Sequence, residues 1–375
     1  MQKTTNKTKK KNYSNFIFII IGVAIGMVMS IFIDGVTYIF GFLGGLLVEL
    51  LLLVVTYFVQ LIIHEAGHLV AGLLSGYGFG SFRIGSLMIV KENEKLKLKK
   101  HSVAGTGGQC LMTPPPMNDG DFPVLLYNLG GVLLNLITTL VFVALAVALS
   151  HNLILYAFCV MMALSGFIVA LTNGIPLKLG MVNNDGSNAL ELYKGREARM
   201  FFHRQFSIVE QISRGKRLHE MDAALFPMPS EEGMKDSISA SGAVFLENRL
   251  IDEGKLDEAL ILIDKLLSGE NALIGLHKNL LRCDKIAILL IKGERADEIE
   301  RICSLQEYQV FKKQMKGNIS VLRTEYAYCL LYKNDEKLAQ EVLSRFEVAA
   351  KTHPYASEVE GEREILKRID EKANI

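Results

Sequence analysis

The first half of the 375-residue chain is written in long apolar runs, and the second half alternates apolar and charged positions. Apolar stretches cover about 16–33, 36–74, 123–149 and 152–172. A helix needs roughly 20 such residues to cross the hydrocarbon core, and every stretch is close to that or longer. Spans are therefore predicted at about 16–33, 44–75, 123–149 and 152–173, with Asp34-Gly35 turning between the first two. Residues 36–43 are either re-entrant or the start of one long tilted span. The polar joint Ser150-His151-Asn152 separates the last two spans.

The period changes within 79–121. Residues 83–90 read as one strand, and 94–100 alternate Leu96 and Leu98 with charge. Gly105, Gly107, Gly108 and Pro114-Pro115-Pro116 exclude a helix here. The segment is predicted to form a small cytoplasmic β-hairpin or sheet that dips toward the membrane.

Beyond Gly186 the chain is polar and helical. Residues 187–213 place Phe201, Phe202 and Phe206 beside Arg196, Arg199 and Arg204, as a helix does that lies on an anionic leaflet or packs on a soluble domain. From 237 to 369 a weak repeat of near 40 residues turns at Glu253-Gly254-Lys255, Lys292-Gly293-Glu294 and Lys333-Asn334-Asp335. An apolar stripe follows each turn, as with Leu256, Ala259, Leu260 and Ile263 after the first. A helical-hairpin array resembling tetratricopeptide repeats is one reading, and it would offer a concave surface to a cytosolic protein partner. An ordinary helical bundle has equal standing. The fold class is thus mainly α: a polytopic membrane bundle of about four spans with a small cytoplasmic β segment and a cytosolic all-α domain. The domains are a basic N-terminus (1–15), a transmembrane domain (16–186), a juxtamembrane helix and linker (187–236) and a helical domain (237–375).

Charge orients the spans. Lys3, Lys7, Lys9, Lys10 and Lys11 precede the first, and Lys178, Lys194, Arg196, Arg199 and Arg204 follow the last. By the positive-inside rule both termini are cytoplasmic, which four crossings require. A net charge of +1 excludes nucleic acid as a general partner. Five scattered cysteines without a CxxC pair form neither a disulfide framework nor a thiolate metal site.

The candidate chemistry is His64-Glu65-Ala66-Gly67-His68, inside an apolar run. Residues i and i+4 share a helix face, so both imidazoles can hold one zinc ion, with Glu65 placed as general base. Zinc lowers the pKa of a water it binds to about 7 and polarises a carbonyl, which is the chemistry of peptide hydrolysis. Ionisable residues in a span cost at least about 2.5–3.5 kcal/mol on insertion scales, so three within five positions point to function. A catalytic zinc takes three protein ligands. Asp185, which follows the last span at similar depth, is the best candidate for the third, and His101 remains an alternative. His151 falls at the opposite face of the membrane.

Taken in order, three elements resemble the site-2 protease family of intramembrane zinc metalloproteases, over roughly 44–186. They are His64–His68, then Gly130-Gly131-Val132-Leu133-Leu134-Asn135, then Asn173 and Pro176 followed by Asp185-Gly186. The resemblance implies one Zn²⁺ on His64, His68 and Asp185, with Glu65 as catalytic base. It assigns Asn135 and Asn173 to positioning substrate or stabilising the oxyanion. Gly130 and Gly131 are equally what close helix packing needs. The spacing of Asn173 and Asp185 is longer than in the compact family pattern. The implied protein is a multi-pass cell-membrane endopeptidase of bacterial type. It acts on a transmembrane or membrane-anchored protein or peptide, unwound to pair with a strand edge of 79–121. A non-catalytic membrane scaffold derived from such a protease is the alternative. A metal-dependent transporter is disfavoured, because no internal repeat relates the spans.

Overall fold

The computed structural model describes residues 14–92, 95–101, 106–118, 121–179 and 182–374, with side chains in the first helix described from residue 41 onward. That helix, α1 (Ser14–Leu74), is interrupted only at Gly41, whose φ of 71° and ψ of 169° suit glycine. The predicted break at Asp34-Gly35 is not there. A glycine inside a helix costs only about 1 kcal/mol, less than leaving backbone groups unpaired in an apolar medium. The predicted first span, about 16–33, lies outside the residues whose side chains are described.

Three described helices are long and apolar enough to cross a membrane: Gly41–Leu74 of α1, α2 (Leu125–Ala148) and α3 (Leu153–Gly174). Asn152 caps α3, accepting from Leu155 N at 3.2 Å, so the polar joint ends one span and starts the next. In α1 the apolar side chains are outside: Leu47, Leu51, Val54 and Phe58 are exposed. Thr56, Gln60, His64 and His68 are buried, four residues apart on the face turned to α2 and α3. Polar-in and apolar-out is the arrangement a lipid solvent favours.

Between α1 and α2 lies a four-stranded antiparallel sheet of β1 (Gly78–Ile84), β2 (Leu87–Glu92), β3 (Lys95–Lys100) and β4 (Gly108–Thr113), in the order β3-β2-β1-β4. The single strand predicted over 83–90 is two strands meeting at a tight turn, with Gly85 at φ 58°. A two-residue Gly-Ser turn leaves the apolar alternation almost unbroken, and that hid the turn. Buried Arg83 braces the sheet, donating to Gly85 O at 2.6 Å and Gly108 O at 3.2 Å.

After α3 a short ribbon, β5 (Lys178–Leu179) with β6 (Val182–Asn183), leads into α4 (Asp185–Lys194) and α5 (Arg196–Ser213). The helix predicted over 187–213 is thus divided at Gly195. Phe201 and Phe202 of α5 are buried, and Phe202 stacks on Phe122 with centroids 6.2 Å apart. Of the two readings of this segment, packing against protein is the one observed.

The remainder is all-helical: α6 (Ser237–Asp252), α7 (Leu256–Ser268), α8 (Gly275–Lys292), α9 (Ala296–Ser304), α10 (Gln306–Gln314), α11 (Ile319–Ala327), α12 (Glu336–Thr352) and α13 (Ala356–Ala373). The three expected turns join α6 to α7, α8 to α9 and α11 to α12, each with a left-handed residue: Gly254, Gly293 and Asn334. The short α10 is inserted between the second and third pairs. One apolar core runs through this region, from Ala240 to Ile369.

Candidate metal centre

His64 and His68 lie one turn apart near the end of α1, buried against the first turns of α2. The Nδ1 of His68 is 2.8 Å from the backbone oxygen of Tyr127. A carbonyl only accepts, so Nδ1 carries the proton and Nε2 presents a lone pair. His64 is fixed through a longer chain. Gln60 donates from Nε2 to Met162 O of α3 at 3.0 Å, which turns its Oε1 toward α2. Asn135 donates to that Oε1 at 2.8 Å and to Gln60 O at 3.0 Å. Its own Oδ1 therefore faces His64 Nδ1, 2.7 Å away, and accepts the imidazole proton. Both Gln60 and Asn135 are fully buried.

Two Nε2 lone pairs are left pointing at one spot, 3.2 Å apart. Oδ2 of Asp185 joins them, 2.9 Å from His64 Nε2 and 3.3 Å from His68 Nε2. Three acceptors converging in a buried place repel one another unless a cation sits among them. Tetrahedral ligands at about 2.0–2.1 Å from zinc stand roughly 3.3 Å apart, close to the separations seen here. The donor set and its geometry thus fit a divalent metal. Asp185, whose Oδ2 stands at this spot, supplies the carboxylate of the set. It is the anion that ligation needs.

Asp185 is delivered by Asn184, the N-cap of α4. Its side chain accepts from Ser187 N at 3.0 Å and donates to Thr172 O at 2.8 Å and Ile175 O at 2.5 Å. The end of α3 and the start of α4 are stapled together, so the long linker does not loosen the site. Glu65 is buried beside β4: a Cβ on Gly108 would stand 2.4 Å from its Oε1. Gly131 admits both rings, since a Cβ there would meet His64 at 2.6 Å and His68 at 2.7 Å. Gly130 instead packs against Gly67. The glycine pair serves close packing and the centre at once.

His64, Glu65, His68, Asn135 and Asp185 are therefore brought together. The Asn173 amide donates to Val169 O of its own helix at 2.9 Å. The rival His101 lies against His353, ring centroids 5.5 Å apart, and the one described metal-competent group is His64, His68 and Asp185. Sequence reasoning passed over Gln60 and Asn184. Polar residues four apart at 56, 60, 64 and 68 in an apolar run were the signal for the first, and an Asn before a helix start for the second.

No protein-family model, curated protein or solved structure matches the chain.

Proposed function

We propose that the protein is an intramembrane zinc-dependent endopeptidase similar to the site-2 protease family. The observation that carries this reading is the convergence of His64 Nε2, His68 Nε2 and Asp185 Oδ2, one residue from a buried glutamate, at the end of an apolar helix. His64, His68 and Asp185 would hold the ion, leaving a position open to solvent or substrate. When bound, zinc supplies Lewis acidity toward water and the scissile carbonyl. Glu65 takes the proton of the attacking water and returns it to the leaving amide nitrogen. Its place beside β4 sets the base next to a strand edge on which an unwound substrate segment can pair, so that a carbonyl hidden in a helix becomes reachable. Asn135, bonded to His64, acts on the ligand rather than on substrate in this scheme.

On the sequence reading of both ends as cytoplasmic, the centre falls at the cytoplasmic side. Leu74 is ten residues beyond His64, about 15 Å along the helix, so the site lies inside the bilayer rather than above it. The substrate class is a transmembrane or membrane-anchored protein or peptide, with the C-terminal helices recruiting or regulating.

Zinc per chain in detergent-purified protein is the test. Near one ion in the wild type is expected, with clear loss in His68→Ala and Asp185→Ala. Glu65→Gln should keep the ion and lose cleavage of a co-expressed single-span reporter. A well-folded wild type without zinc would overturn the reading, and cleavage surviving in Glu65→Gln would remove the base from its role.

A further inference from the structure

Outside the three apolar helices most exposed large apolar side chains stand singly, as on any soluble surface. One group does not. Leu87, Ile89, Leu96 and Leu98 are 54, 41, 66 and 68% exposed and share one face of the β2–β3 hairpin. The register places them together, with Ile89 opposite Leu98 and Leu96 opposite Lys91.

The direction of this face follows from the rest of the sheet. Ile89 pairs with Phe82 and Phe82 with Cys110, while Leu87 pairs with Ile84 and Ile84 with Gly108. Gly108 rests on Glu65 of α1. The face that packs on α1 at its β4 end therefore overhangs at its β2–β3 end, alongside a helix whose outer surface is apolar. The opposite face carries Ser81, Met88 and Val90, all buried. The hairpin is also the most basic short segment of this part of the chain. Residues 87–100 hold five lysines (91, 95, 97, 99 and 100) against Glu92 and Glu94, a net +3 in a chain of net +1. On α4, Tyr193 is 67% exposed at the same end of the bundle, where aromatic anchors collect at membrane interfaces.

We propose that the β2–β3 hairpin is a lipid-binding element. Leu87, Ile89, Leu96 and Leu98 lie in the cytoplasmic leaflet, and Lys100, opposite Leu87 on the same face, and Lys95, at the start of β3, bind anionic headgroups with their ammonium groups in the headgroup layer. The inference needs the apolar helices to cross the membrane but not the metal centre, so its fate is separate from that of the peptidase reading.

The chain has no tryptophan, so Leu98→Trp supplies a single reporter. Ile261→Trp on α7, 70% exposed, is the aqueous control. Each full-length variant is placed in nanodiscs of phosphatidylcholine alone or of equal phosphatidylcholine and phosphatidylglycerol. In the mixed discs Leu98→Trp should emit to the blue of the control, quench several-fold more with brominated lipid and several-fold less with acrylamide. Changing Lys95 and Lys100 to Gln should return these signals to those in phosphatidylcholine alone. Acrylamide quenching equal to the control would overturn the proposal. So would protection from acrylamide without bromolipid quenching, which would mean a protein occupant, and so would signals indifferent to phosphatidylglycerol and to the lysines.

Discussion

Gln60 shows how much one buried amide can decide. It touches no acceptor of the metal centre, yet its Nε2 bond to Met162 O sets the orientation of Asn135, and Asn135 sets the tautomer of His64. In Gln60→Leu the Asn135 amide keeps only its bond to the backbone oxygen of residue 60 and is free to reorient, and His64 can present the wrong nitrogen. Outer partners of ligating histidines are worth about 10–100-fold in metal affinity. That loss is expected in chelator competition, with Thr56→Val, one turn away and bonded to Ser165, as the control that should bind zinc normally. Interhelical hydrogen bonds in membranes average about 0.6 kcal/mol, so either variant should fold. The base is controlled as closely. Gly108→Ala would drive a methyl group onto the Glu65 carboxylate. Because general-base catalysis is worth about 10²–10⁴-fold, cleavage should fall at least tenfold while zinc content stays near wild type. Zinc loss in that variant would mean that the sheet holds the metal centre and not only the base.

At the scale of elements, the apolar helices were legible because lipid demands a continuous run, and α2 and α3 end within a few residues of expectation. The turns at Gly254, Gly293 and Asn334 were legible because each needs a left-handed residue. His64, Glu65 and His68 announce themselves by spacing. What could not be read was tertiary. The Gly85 turn hides in an unbroken alternation, and Asp34-Gly35 fails to break a helix whose backbone has no other partner. Arg323 is a further case, an ordinary surface residue by type. It is buried on α11 and joins Asp284 of α8 at 2.5 Å to Glu362 of α13 at 2.9 Å. Arg323→Leu would leave two carboxylates in the core without a cation. Breaking a buried ion pair from one side costs about 3–5 kcal/mol, so the C-terminal helices should unfold at markedly lower temperature in calorimetry of the full chain. Arg323→Lys keeps the charge but not the fork that reaches both acids, and should fall between.

At the scale of the whole molecule, the sheet meets the C-terminal helices at His101, among other places. His101, just past β3, packs edge-on against His353, at the entrance to α13, with centroids 5.5 Å apart. Burial, then the nearby charges of His353 and Arg83, push His101 down to about 4, and burial lowers His353 as well. Lys99 adds to the unfavourable field and Glu362 opposes it, while burial raises Glu358, 3.5 Å from His353 Nε2, to about 7, so that its protonation favours the docked state. Above about pH 6.5 both rings are neutral whether docked or free, and the contact has its full strength. Between about 6.5 and 4 the free imidazole takes a proton that the docked one refuses, so acid weakens the docking, for His101 by at most about 3 kcal/mol. Hydrogen exchange corrected for its intrinsic pH dependence should rise in residues 95–101 and 353–357 as pH falls from about 7 to 5. His101→Phe, which stays neutral at every pH, should flatten the dependence in 95–101, while His353 leaves part of it in 353–357. Since the same sheet holds Gly108 against Glu65, loosening at His101 should reach the candidate base only through the strands. Protection of β4 (Gly108–Thr113) should then fall with that of 95–101 if the sheet moves as one body, and persist if the β2–β3 hairpin bends away alone.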